Sequence, residues 1–310
     1  MGLGNKIYRS VLLGLAGNGA VEAAAHKVGM KLGASRFVAG TTLDEAVAAA
    51  CRLRDKGIQV SMDHLGEGIK TLEEADAYRD AYIVLLQRLH QEGLSGNVSL
   101  KPTQMGLALD EASCRERITA IAREAKARGA FVRLDMENSP YTGRTIEIVR
   151  QLHKEGLTNT GTVIQAYLYR SAEDVRKLSN ARINLRLVKG AYKESRAIAF
   201  AKPDTVAASF KRLIRMRLDS GVYTAVATHD DEIIRWTKAY AARRGVSRGA
   251  FEFQMLYGMR MSMQEQLAAE GYTVRCYVPY GERWYPYFVR RLAERPENAG
   301  FVLRNLFKRN

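Results

Sequence analysis

Cysteine is scarce in this 310-residue chain: Cys51, Cys114 and Cys276 stand singly, at spacings that exclude a disulfide framework and a paired-cysteine zinc site. That usage fits a reducing, cytoplasmic compartment. Histidine is scarce too. Of five, His26, His90 and His153 fall on stretches with helical periodicity, and "DHLGEG" around His64 contains no His-x-His pair. A metal-dependent hydrolase needs several converging ligands, so that chemistry is poorly supported and no metal is expected. Nowhere does an apolar run approach the ~20 residues of a membrane-crossing helix. The best candidate, "VLLGLAGNGAVEAAAH", is broken by glycines and by Glu22, and it lacks the basic start and cleavage pattern of a secretory signal. Linkers rich in Pro, Gly or Ser and low-complexity segments are missing as well. Acidic residues number 33 against 48 basic ones, giving a net charge of +15. Such an excess raises nucleic acid, anionic lipid or an acidic ligand as partner. The basic residues are spread along the whole chain without a zinc-finger or RNP motif, so no nucleic-acid partner is expected.

What is present is a regular alternation. Short β-rich runs, "IQVSMD" (58–63), "NVSLK" (97–101), "FVRLDM" (131–136), "TVIQAYL" (162–168), "INLRLVK" (183–189), "YTAVAT" (223–228), "FEFQML" (251–256) and "TVRCYV" (273–278), are each followed by a helical pattern. Thr71 with Glu74 three residues on marks one helix start, and Gly93 its end. Asp110 and Gly129 bracket the next. Eight strand–helix units in about 250 residues predict an α/β fold, a (β/α)8 TIM-like barrel. The competing doubly wound sheet would announce a dinucleotide site by a glycine-rich turn after its first strand. The cluster "GLAGNG" (14–19) follows no strand and has the wrong spacing. Residues 1–56 read as a helical extension packed on the barrel, and 57–310 as the catalytic barrel.

Barrel enzymes gather their chemistry at the C-terminal strand ends. There the sequence places Asp63 and His64, Lys101, Asp135 with Glu137, Gln165, Arg186 with Lys189, Thr228 with His229, Gln254 and Tyr277. Taken singly, a strand-end lysine is commonly an exposed loop residue, and an aspartate there often caps the next helix. Gln165 and Arg186 are harder to dismiss, because a buried amide needs partners and a buried cation needs a counter-charge. A ring of hydrogen-bonding and cationic groups with one or two carboxylates suits an anionic, heteroaromatic cofactor carrying phosphates, such as a flavin nucleotide.

Near the end of the chain, "YPYFVRRLAERPEN" predicts a helix over 286–294, opened by Pro286 and closed before Pro296. Tyr287, Arg290, Arg291 and Glu294 share one face, opposite Phe288, Val289, Leu292 and Ala293. That polar face is either solvated or a carboxylate clamp, two guanidinium forks with Glu294 to orient one of them.

The motifs "VSLKPT", "VRLDME", "VIQAYLYR", "LRLVKGAYKE", "ATHDDE", "EFQMLYGM", "RCYVPYG" and "YPYFVRRLAE" together resemble, in order and spacing, the proline dehydrogenase family, from about residue 58 to the C-terminus. The resemblance implies a distorted (β/α)8 barrel with noncovalent FAD and a C-terminal helix over the barrel mouth. It further implies oxidation of L-proline to Δ1-pyrroline-5-carboxylate by hydride transfer to flavin N5, the electrons passing to a quinone or similar acceptor. Arg290 and Arg291 then resemble the substrate-carboxylate clamp, with Glu294 as partner. Lys101, Tyr192, Leu256, Tyr277 and Tyr287 would border the substrate, and Asp135 and Arg186 would serve catalysis. Met136, Gln165, Arg186, Lys189, Gly190, Ala191, Thr228 and His229 would contact the cofactor. A related flavoenzyme acting on another cyclic or N-substituted amino acid is the alternative, and a noncatalytic basic barrel the blander one. In the tail "GFVLRNLFKRN", Val302, Leu303, Leu306 and Phe307 alternate with basic residues. This face either packs on the barrel or makes a weak peripheral contact with an anionic membrane, where a quinone would reside.

Overall fold

The computed structural model describes residues 29–30, 33–66 and 68–294. Eight parallel strands close into one barrel in sequential order. They are β1 (Gln59–His64), β2 (Asn97–Leu100), β3 (Phe131–Leu134), β4 (Thr160–Gln165), β5 (Asn184–Val188), β6 (Thr224–Ala227), β7 (Phe251–Leu256) and β8 (Thr273–Tyr280). The seam is sealed by six register pairs between β1 and β8, from Gln59 opposite Arg275 to His64 opposite Tyr280. Helix α1 (Leu43–Arg54) precedes the barrel. Each strand is then followed by a helix: α2 (Leu72–Gln91), α3 (Glu111–Ala127), α4 (Ser139–Lys154), α5 (Ser171–Asn180), α6 (Pro203–Asp219), α7 (Asp231–Arg243), α8 (Met261–Ala269) and α9 (Tyr285–Glu294).

The cap residues explain where the helices begin. Thr42 and Glu45 form a reciprocal capping box at α1: the Glu45 N–H donates to Thr42 Oγ1, and Glu45 Oε2 accepts from the Thr42 N–H. At α2 the box is shifted by one residue. Thr71 Oγ1 accepts from the Glu74 N–H, whereas Glu74 Oε2 takes the Lys70 N–H. Asp110 caps α3 at 2.6 Å from the Ser113 nitrogen, and the chain leaves that helix through Gly129 at φ 64°.

Along the strands the alternation runs opposite to that of a half-exposed sheet. Val60, Met62, Val98, Leu100, Val132, Leu134, Leu185, Leu187, Phe253, Val274 and Cys276 face outward into the helix layer and belong to one large apolar core. Hydrogen bonds joining Ser61, Ser99, Arg133, Asn184, Arg186, Glu252, Gln254 and Arg275 across strands place these inside the barrel. The interior is a polar network where many such barrels hold Val, Ile and Leu.

A second, smaller core holds α9. Trp284, Tyr285, Phe288, Val289 and Leu292 pack with Phe37, Val38 and Leu65. Within the stretch read as helical extension, residues 37–42 are not helical. Ala34–Arg36 make one 3-10 turn, and the chain then passes the end of β8, where the Ala39 N–H donates to the Pro279 carbonyl and the Gly281 N–H to the Gly40 carbonyl. Gly40 at φ 151° and the β-branched Val38, Thr41 and Thr42 oppose a helix there. The cluster 14–19, Glu22, His26 and the tail at 295–310 lie outside the described residues.

Candidate active site

At the C-terminal end of the barrel, four strands deliver charge to one point. Asp135, just past β3, has Oδ1 2.6 Å from Arg186 Nη1 of β5 and Oδ2 2.8 Å from the Tyr277 hydroxyl of β8. Lys101, just past β2, puts Nζ 3.7 Å from the same Asp135 Oδ2 and 3.4 Å from Asp63 Oδ2 of β1. The Arg186 guanidinium carbon also lies 5.2 Å from the Tyr277 ring centroid. Arg186 is 5% exposed, and its remaining donors are met by Gln254 Oε1 (2.5 Å), Ser99 Oγ (2.9 Å) and Ser61 Oγ (3.5 Å). Burial pushes the Tyr277 phenol well above its ordinary value, and the carboxylates of Asp135 and Asp63 add to that. Tyr277 is therefore a hydrogen-bond donor at neutral pH.

The cofactor residues named from the sequence occupy the adjoining strand ends. Gln165 is buried at the end of β4, where Nε2 donates to the Glu137 carbonyl at 2.9 Å and, among the described residues, Oε1 meets no donor. Glu137 itself accepts from the Thr103 N–H at 3.0 Å and the Thr103 hydroxyl at 2.6 Å. Lys189 pairs at 2.6 Å with Asp230, the N-cap of α7. Burial works to raise the Asp230 carboxyl, yet the Lys189 contact holds it below the usual range. Gly190 adopts φ 109°, and a Cβ there would fall 2.3 Å from the Tyr167 ring, so the turn accepts no side chain. Thr228 Oγ1 accepts from the Asp230 N–H, and His229 Nε2 accepts from the Leu256 N–H at 3.0 Å, which leaves the His229 proton on Nδ1. Met136 is buried beside Asp135.

Helix α9 begins five residues after β8 ends, on the same end of the barrel. Tyr287 is buried, Arg290 and Arg291 are half-buried, and the Arg291 guanidinium carbon stands 5.2 Å from the Tyr287 ring centroid. The Glu294 side chain lies outside the described residues. Tyr192 and Ala191 sit on an exposed loop after β5, and Leu256 is half-buried at the end of β7. Sequence reasoning gave no role to Asp63, Gln254, Ser61 or Ser99. The first two were visible as strand-end polar groups, whereas the serines carry no signal of their own. His64 is stacked on Tyr280 at 4.9 Å with its ring edges toward Tyr78 and Tyr82, and burial pushes its imidazole down to about 4.

Among the described residues, no cluster of His, Cys, Asp and Glu is arranged to hold a metal ion, and no helix is long and apolar enough to cross a membrane.

A closed parallel barrel with buried acid, guanidinium, phenol and amine converging above its strands defines an enzyme of the (β/α)8 class. Within that class the chain belongs to the proline dehydrogenase family, whose sequence pattern it matches over residues 46–304. It is 45% identical to proline dehydrogenase 1 of Bacillus subtilis over 303 residues, covering 98% of this chain and 100% of that one. It is 41% identical to the proline dehydrogenase of Deinococcus radiodurans, covering 98% and 99%. Among solved structures, proline utilization A from Bdellovibrio bacteriovorus inactivated by N-propargylglycine superposes with a TM-score of 0.80 at 26% identity. The match covers 93% of this chain and 36% of that longer one. The chain is thus an oxidoreductase of proline catabolism.

Proposed function

We propose that this enzyme binds FAD noncovalently above the strand ends and oxidises L-proline to Δ1-pyrroline-5-carboxylate, delivering the electrons to a quinone or similar acceptor. The observation that carries the reading is the convergence of Arg186, Tyr277 and Lys101 on Asp135 at the barrel mouth.

The donor set fits a flavin nucleotide. Gln165 offers an amide oxygen that meets no donor among the described residues, as the imide edge of a flavin pyrimidine requires. The Gly190 turn leaves room for backbone approach, and Arg186 and Lys189 bring positive charge. When bound, FAD supplies the hydride acceptor. Arg186 holds a fixed, desolvated positive charge where negative charge gathers on reduction, and Asp135 locks that guanidinium in place. Tyr277 and Lys101 hold the other Asp135 oxygen, so the carboxylate cannot rotate away. Arg290 and Arg291 grip the substrate carboxylate far from the reacting carbon, so binding energy distant from the chemistry orients the ring. Leu256, Tyr192 and Tyr287 supply its walls.

The test is an absorbance spectrum of the purified protein before and after anaerobic L-proline. Flavin bands that bleach on addition are expected. A protein that stays colourless when FAD is supplied, or bands that proline leaves unchanged, would overturn the reading.

A further inference from the structure

Below the strand-end ring runs a second buried chain of polar groups to which the chemistry above gives no role. Glu252 and Gln254 lie two residues apart on β7, so both side chains enter the barrel interior. They are 1% and 3% exposed. Arg275 of β8 grips the Glu252 carboxylate with two nitrogens, Nε 3.0 Å from Oε1 and Nη2 3.0 Å from Oε2, while the Tyr223 hydroxyl donates to Oε2 at 2.9 Å. Burial works to raise the Glu252 carboxyl, but the Arg275 charge and these hydrogen bonds outweigh it and keep the group ionised.

The Gln254 amide spans the gap between this pair and the catalytic ring. Its nitrogen donates to Glu252 Oε1, and its oxygen accepts from Arg186 Nε. Only one orientation is allowed. A carboxylate only accepts and a guanidinium only donates, so turning the amide over would set two acceptors against each other at one end and two donors at the other. Among the described residues Arg186 Nε has this one acceptor, whereas the terminal nitrogens face Asp135, Ser99 and Ser61. The amide thus fixes the rotation of the fork about its own axis.

We propose that Glu252 is a positioning residue for the oxidation: its carboxylate orients the Gln254 amide, and the amide aims the Arg186 guanidinium at the barrel mouth. This rests on the reading of Arg186 as the cation beside the flavin.

The test uses the flavin-loaded full chain with Glu252→Gln, Gln254→Leu and the double variant. Glu252→Gln keeps the volume but replaces one carboxylate oxygen with an N–H2 group, which sets donor against donor at Arg275 whichever way the amide turns. Losing a hydrogen bond to a charged group corresponds to a fall in kcat of about tenfold in each single variant, with the proline KM changed less than about threefold. The double variant falls no further than the worse single, because both act through one contact. The midpoint potential of the bound flavin drops in all three, as it does in Arg186→Lys. Should Glu252→Gln fail to fold, Glu252→Asp retains the charge facing Arg275, withdraws the acceptor from Gln254 and takes its place. Wild-type kcat and potential in the Glu252 variant, with only the melting temperature lowered, would reduce Glu252 to a structural role and overturn the proposal. Losses that add in the double variant would overturn it too. If wild type bleaches with proline and Arg186→Lys shifts the potential while the Glu252 variants do not, this inference alone fails. If wild type does not bleach, the functional reading beneath it fails with it.

Discussion

A guanidinium and an ammonium carry equal charge, but only the former offers a planar fork that meets both oxygens of a carboxylate. Arg290 and Arg291 stand half-buried on α9, with Arg291 braced over the Tyr287 ring. Arg291→Lys and Arg290→Lys are each expected to raise the proline KM by about ten- to a hundredfold, the loss of a charge-assisted bond of roughly 1.5–3 kcal/mol. Flavin content should stay at the wild-type level. Steady-state kinetics with the A-to-flavin absorbance ratio check this, and wild-type KM in both variants would remove the clamp. At this scale the sequence was only partly readable. Arg186 and Gln165 drew attention because an apolar strand makes a cation or an amide conspicuous. Glu252 did not, since in "FEFQML" it occupies the position that in a sheet with one wet face meets solvent. A single sequence cannot distinguish a solvated face from a polar barrel lumen, because both alternate with period two. The same ambiguity hid Ser61, Ser99, Arg133 and Arg275.

The elements that were legible are those with local chemistry at their ends. Thr71, Asp110 and Gly129 fix α2 and α3 within two residues of their observed limits, because a cap bonds only to the turn beside it. Strand β8 runs two residues further than its apolar pattern suggested, to Tyr280. Pro279 is tolerated there because the pairing with β7 ends at Tyr277, so no ladder bond needs its missing N–H. It lies at the strand end opposite Asp63 of β1 and uses its carbonyl toward Ala39. The contact between 33–40 and α9 is nonlocal and left no trace in either segment. It has a consequence, since α9 rests on its own small core and not on the barrel's. Phe37 is fully buried with its ring centroid 6.2 Å from that of Phe288. Phe37→Ala removes that support at a local cost of about 3–5 kcal/mol. The expected outcome is a raised proline KM and faster amide exchange across 285–294, with exchange in the barrel strands unchanged. Hydrogen exchange followed by mass spectrometry would read it, and protection lost uniformly over barrel and helix would show that the two cores are one.

For the molecule as a whole, closure of the barrel explains why a polar interior is tolerated. Eight strands leave no edge, and the interior groups answer one another: Arg275 with Glu252, Arg133 with Asn184, Arg186 with Asp135. The strand order followed from eight alternating units, because parallel neighbours joined by helices have few ways to close. The partner did not follow from the charge of +15, which is spread along the whole chain and biases many encounters at once. The groups proposed to hold the cofactor, by contrast, are drawn from β3 to β6 and the loops after them, so a ligand held there would tie half the barrel together and bind only the folded chain. Adding FAD to the flavin-stripped protein at a hundred times its dissociation constant should therefore stabilise it by about 2.7 kcal/mol. For a chain of 310 residues that corresponds to a rise in melting temperature of roughly 4 °C. Arg290→Lys and Arg291→Lys should show the same rise if, as proposed, α9 holds the substrate and not the cofactor. A polyanion bound through net charge would behave differently, since its stabilisation would fade as salt is raised. Thermal melts with FAD and with heparin, each at low and high ionic strength, separate the two. A rise with FAD that persists in salt is the expected result, and a rise with heparin alone would point to a charge-driven binding barrel.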